Sequence, residues 1–178
     1  MDSTRSNWRN FWLLWLTGIV IIVALVSQND RLVTDIAPQG MLDHQVAATA
    51  QRVEDIHASW RAAGAMDFFK IAILFDLLFI VLYSTGGVMG GKLIRQAARS
   101  GLLRALAGLA ILAYAAFGIL DFTETFCQAI QGFVTGGNDT LAAIAASAQQ
   151  PKMAAFFIGF PSLVVALAWF RVERRRSA

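Results

Sequence analysis

Four stretches of this chain show neither the two-residue alternation of a half-buried strand nor the one-sided stripe of a soluble surface helix. They are apolar almost all the way round. The first, Phe11 to Val26, reads FWLLWLTGIVIIVALV. The second, Ile71 to Gly91, contains one charge, Asp76. The third, Leu102 to Cys127, is less uniform, with Arg104, Asp121 and Glu124; the fourth runs from Met153 to Phe170. A helical span needs roughly 17 to 25 mostly apolar residues at about 1.5 Å rise each. With their flanks, the four stretches predict spans over residues 10–27, 68–91, 102–128 and 152–170. The expected fold is all-α: a single-domain, four-helix transmembrane bundle over residues 1–178. Phe11–Val26 also has the basic flank of a signal peptide, Arg5 and Arg9, but ALVSQND offers no small-x-small cleavage site, so an uncleaved span is expected.

Between the first two spans the pattern changes. After the PQG at 38–40, Leu42, Val46, Thr49, Val53, Ile56 and Trp60 recur at steps of four and three. This predicts an amphipathic helix over residues 41–62, either packed as a lid over the ends of the bundle or lying among the headgroups. A partner-binding helix is the alternative. The stretch TGGNDTLAAIAASAQQ, residues 135–150, reads as a turn and a short helix on the same side, and Pro161 as a kink in the fourth span.

Charge then orients the bundle. Arg5 and Arg9 precede span one, Lys92, Arg95, Arg99 and Arg104 fall between spans two and three, and Arg171, Arg174, Arg175 and Arg176 follow span four. These ten bases share one side with only Asp2 and Glu173, while five bases and ten acids lie elsewhere. By the positive-inside rule both termini are cytoplasmic. The formal net charge of +3 therefore conceals about +8 on one side and −5 elsewhere, a topology signal that argues against nucleic-acid binding. With 57% hydrophobic and 15% charged residues, the chain is far from the ~25% charge of a soluble domain. The expected location is a bacterial cytoplasmic membrane, with the lipid bilayer as partner, a homo-oligomer or a larger membrane complex as open alternatives beyond it, and no small-molecule ligand identified by the sequence.

Recognised chemistry is sparse. Cys127 stands alone, His44 and His57 are separated in sequence and lie outside the apolar runs, and no Walker, Rossmann, HExxH or GxSxG pattern occurs. GGVMGGK at 86–92 lacks the spacing of a phosphate loop; its glycines suit close helix packing. NDT at 138–140 matches a glycosylation sequon by chance. No cofactor and no metal are expected, although Asp76, Asp121 and Glu124 offer the oxygen chemistry of a hard-cation site.

What stands out is GILDFTETF, residues 118–126, with two carboxylates in a membrane span. Counted from the basic side, Asp121 lies about 24 Å along span three and Asp76 about 21 Å along span two. Glu124 sits one turn nearer the far surface, and Lys152 opens span four from there. Tyr83 and Tyr114 each fall two turns below an acid on its own face. Tyr114, Asp121, Glu124, Gln128 and Gln131 form one stripe, which should face the bundle because a lipid-facing carboxylate costs at least about 2.5 kcal/mol at the bilayer centre. The candidate polar cluster is therefore Asp76, Tyr83, Tyr114, Asp121, Glu124, Gln128 and Lys152.

Three roles follow. The cluster fastens helices in a non-enzymatic accessory subunit or binding module; it serves ion- or proton-coupled transport; or it supplies acid-base groups to a lipid-modifying enzyme, for which no nucleophile is evident.

LDHQVAAT at 42–49, IHASW at 56–60, FDLLFIVLY at 75–83, GILDFTET at 118–125 and Lys152 together resemble a group of small four-span bacterial membrane proteins. In that group an aspartate and a tyrosine stand seven apart on span two, Asp-x-x-Glu-Asn lies on span three, and a lysine opens span four. Asp76, Tyr83, Asp121, Glu124 and Lys152 match; Thr125 stands where the pattern has asparagine. The resemblance implies architecture and a residue set, and no activity.

Overall fold

The computed structural model describes residues 2–175, with side chains from residue 6 onward. Arg176 lies outside the described residues, as do the side chains of Asp2 and Arg5. The chain runs α1 (Asp2–Ser27), a 3-10 turn (Asn29–Leu32), α2 (Met41–Gln45), α3 (Ala50–Ala62), α4 (Met66–Ala97), α5 (Gly101–Ile130), a π turn (Gln131–Thr135) and α6 (Asp139–Arg175). Four of these helices, α1, α4, α5 and α6, are long and apolar enough to cross a membrane. The fold is an all-helical four-helix bundle, with α2 and α3 forming a cap at one end.

α4 is the hub, and small residues make it so. The wide apolar surfaces of α1 and α5 approach it where it offers no side chain. A Cβ on Gly86 would meet the Trp15 backbone nitrogen at 2.8 Å, and one on Gly90 would run into the Phe11 ring. Gly87 and Gly91, on the neighbouring face, lie against Tyr114 and Ile111 of α5. The glycines of GGVMGGK are thus packing surfaces inside a helix, as their position at a span end suggested.

The two ends of the bundle close differently. At the basic end, which carries Lys92, Arg95 and Arg171, the Glu173 carboxylate accepts from the backbone N–H groups of Arg99 (3.1 Å) and Ser100 (3.3 Å). This ties the end of α6 to the α4–α5 turn. At the capped end α3 is tied to the α5–α6 turn. Glu54 accepts from the Gly137 amide, and Asp139 accepts from the Ala50 amide at 2.7 Å. The Gly137 bond is also the chief reason the Glu54 carboxyl is held below its usual range.

Two expectations need correction here. Residues 41–62 are not one helix. The chain breaks between Gln45 and Ala50, and Thr49 starts a new helix by accepting from the Arg52 amide with its side chain. Val53, Ile56 and Trp60 of the predicted seam are buried, but Leu42 and Val46, on the other side of the break, are exposed. Nor is residues 135–150 a turn plus a separate short helix. After a turn at Gly136, α6 starts at Asp139 and continues without interruption to Arg175, through both Pro151 and Pro161. Its 37 residues rise about 55 Å, well beyond the roughly 30 Å of hydrocarbon, so its first turns belong to the cap.

Candidate functional site

The helix register that places Tyr114, Asp121, Glu124 and Gln128 on one face of α5, with Gln131 following at the start of the π turn, buries all five. Lys152, on α6, extends its ammonium between two of them: Nζ lies 3.1 Å from Asp121 Oδ1 and 2.8 Å from Glu124 Oε2. Glu124 is wholly buried, and its Oε1 and the Gln128 Nε2 one turn on have no hydrogen-bond partner among the described residues. From α4, Asp76 joins the group by accepting a 2.8 Å hydrogen bond from the Thr125 hydroxyl. Thr125 therefore supplies a donor to the second acid. In the sequence this residue stands out only as the departure from asparagine.

The tyrosines lie elsewhere. Trp15 Nε1–H donates to the Tyr114 hydroxyl at 2.9 Å, and Tyr114 donates to Tyr83 at 3.2 Å. This buried trio bonds α1, α5 and α4 together below the acids. Between trio and acids lies an aromatic layer, Phe79, Phe117 and Phe156, with Phe117 at 6.1 and 5.9 Å centroid distance from the other two. Of the predicted cluster, Asp76, Asp121, Glu124 and Lys152 come together, while Tyr83 and Tyr114 form a separate knot. Gln131 turns to the backbone, accepting from the Asn138 amide at 3.3 Å and so helping to close the α5–α6 turn.

Above the aromatic layer a cavity of about 660 Å³ opens. Asp76, Asp121 and Lys152 reach it, together with Phe79, Phe117 and Phe156. Its far wall is Ile22, Leu25 and Val26 of α1, and its roof is cap and turn residues such as Asn29, Gln39 and Gln45. The reason for the gap is side-chain size. α1 and α6 do not pack backbone to backbone. In the basic half they are bridged by stacked rings, Trp8 on Phe170 at 5.6 Å and Trp15 on Phe160 at 5.8 Å. In the capped half α1 offers only aliphatic side chains, which do not span the distance. The rim residues Val26, Leu42 and Met153 are exposed, so the cavity has a side opening between α1 and α6.

A hydrocarbon core of about 30 Å takes about 20 helical residues. Counted from Arg171, Leu102 and Lys92 at the basic end, that length reaches Lys152 on α6, Phe122 on α5 and Ala72 on α4, placing the cluster near the boundary between tails and headgroups.

A second buried polar feature was invisible in the sequence. His44 of α2 and His57 of α3 meet Nε2 to Nε2 at 2.9 Å, with rings stacked at 4.9 Å and Trp60 and Phe69 against them. The break after Gln45 folds α2 back on α3 and brings together residues that one continuous helix would hold far apart. Burial pushes His44 down to about 3 and His57 down to about 4; the neighbouring imidazole adds to the first shift, and on the second Glu54 pulls upward while Arg61 and Lys70 oppose it. Both rings are neutral near pH 7. Thr49 as an N-cap was the available signal for the break.

What fold and site define is a class: a small four-helix membrane protein with an ionic cluster beside a half-open cavity. In comparisons with protein-family models, curated proteins and solved structures, none matches this chain.

Proposed function

We propose that this chain is a non-enzymatic integral membrane protein of the cytoplasmic membrane whose cavity is a binding site, with Asp121, Glu124 and Lys152 as the helix-fastening part of its wall. The observation that carries this reading is the cavity itself. Its volume lies within the roughly 300–1,000 Å³ typical of small-molecule pockets, and it combines apolar walls with a few convergent polar groups. The orientation rests on the basic flanks, which put both termini in the cytoplasm and the cap outside.

The division of labour follows from burial. Glu124 is sealed and held by Lys152, which suits a fastener, whereas Asp76 is half-buried, borders the cavity and forms no ion pair within 4 Å among the described residues, feeling Lys152 only at longer range. A transport role finds less support. The layer of Phe79, Phe117 and Phe156 and the tyrosine knot fill the way from the cluster towards the basic end. An enzymatic role lacks a hydroxyl or thiol nucleophile, since the cavity lining is made of aliphatic, aromatic, thioether, amide and carboxylate side chains with one lysine, and that lysine is held by Asp121 and Glu124.

The test is a titration of the full-length protein in a nonionic detergent with single-chain amphiphiles, read by native mass spectrometry. A saturable one-to-one adduct is expected, weakened at least about tenfold, or 1.4 kcal/mol, by Ala72→Phe, which fills the cavity from α4. Binding that does not saturate, or that ignores the filled cavity, would overturn the reading.

A further inference from the structure

We infer that the cavity takes the head of a singly cationic amphiphile from the surrounding bilayer, with Asp76 as its counter-ion. This rests on the binding reading above and names the chemistry of the ligand.

The charges set the sign. Three carboxylates, Asp76, Asp121 and Glu124, share the site with one ammonium. That ammonium is already engaged at 2.8 and 3.1 Å by Glu124 and Asp121. Asp76 receives only the Thr125 hydroxyl. A carboxylate near hydrocarbon level whose nearest base is already held by two other acids is costly, and a second cation placed beside it relieves that cost. An anionic head would instead meet Asp76 and Asp121 below and Asp30 at the roof, with no free ammonium to receive it.

The surroundings favour a cation of the lipid phase over a bare ion. Phe79, Phe117 and Phe156 form the floor, and aromatic faces attract ammonium groups, more strongly when desolvated. Metal ions prefer several oxygen ligands at once, yet Asp121 and Glu124 are occupied by Lys152. The cluster lies near the level where headgroups meet tails, and the opening between α1 and α6 is rimmed by Val26 and Met153. An amphiphile lying in the membrane therefore has its head at the right depth and its apolar body at the open side.

The experiment compares three ligands with one tail on the full-length protein at pH 7: dodecylamine, laurate and dodecanol. On the wild type, dodecylamine should bind at least about tenfold more tightly than either of the others, the scale of one half-buried ion pair. Asp76→Asn should bring the amine down to the level of dodecanol. If laurate binds best, or the three bind alike, the charge assignment is overturned while the cavity remains a binding site. If sodium chloride displaces the amine and KCl or choline chloride at equal strength does not, a sodium site replaces the amphiphile site and the inference fails. If none of the three saturates, the binding reading falls with it. The ranking on the wild type needs no variant, so instability of Asp76→Asn leaves the inference exposed to refutation.

Discussion

Lys152 and Glu124 meet at 2.8 Å at a point where the Glu124 side chain has no exposure and the Lys152 side chain only 6%. Glu124 has no water to fall back on, and Lys152 has little. Such a pair adds little net stability over a well-packed apolar pair, but breaking it from one side is expensive.

Lys152→Met is therefore expected to destabilise the protein by about 3 to 5 kcal/mol, because it strands Glu124 as a buried charge. The double variant Lys152→Met with Glu124→Gln should recover a substantial part of that loss. Denaturant titration in mixed micelles checks both; full stability of the single variant would remove the fastening role.

The helix packing makes a sharper forecast. Gly86→Ala and Gly108→Ala are the same change in helix interiors, but the first Cβ meets the Trp15 backbone at 2.8 Å and the second meets nothing within 4 Å. Gly86→Ala should cost about 1 to 3 kcal/mol by overpacking α1 against α4. Gly108→Ala should be neutral or stabilising by up to about 1 kcal/mol. Thermal unfolding followed by light scattering and circular dichroism separates the two.

Thr125 makes a third case. Thr125→Val keeps the shape and deletes the hydroxyl that Asp76 accepts at 2.8 Å. A loss of about 1.5 to 3 kcal/mol is expected, the range for a hydrogen bond to a charged group, while Thr125→Ser should retain most of it. Equal stability of the valine and serine variants would show that this contact contributes nothing.

The histidine pair predicts a pH dependence. Both imidazoles titrate near 6.5 when unfolded but only at about 3 and about 4 in the fold. Below pH 6.5 the unfolded chain thus binds more protons than the folded one, so stability is full above that pH and declines as pH falls. The slope is at most about 1.4 kcal/mol per pH unit for each histidine. Between pH 7 and 5, amide protection factors in α2 and α3, taken relative to the intrinsic exchange rate at each pH, should fall, and His57→Phe should flatten the trend; Glu54 stays ionised throughout this window. Unchanged protection factors in the wild type would contradict the neutral pair.

Much of this was legible in the chain because the bilayer simplifies the code. Four apolar runs became four helices, and the spacing of Asp121, Glu124 and Gln128 fixed their common inward face. Lys152 could be matched to the acids by depth alone. What depended on three-dimensional fit was not legible. The cavity comes from a difference in size along α1, aromatic from Trp8 to Trp15 and aliphatic beyond, which no polar pattern reports. The His44–His57 pair required a helix break that the seam of Val53, Ile56 and Trp60 concealed. Tyr83 and Tyr114 share faces with their acids, yet Phe79 and Phe117 come between, because helical periodicity records direction and not what fills the interval.

The bond from Trp15 to Tyr114 spans 99 residues of chain. During synthesis α1 emerges first, and its indole N–H has no native acceptor until most of α5 has left the ribosome. α4 precedes α5 in the chain and carries the Gly86 and Gly90 surface on which Trp15 and Phe11 rest. The shape fit of α1 on α4 thus needs only the first two spans, whereas its hydrogen bond needs the third.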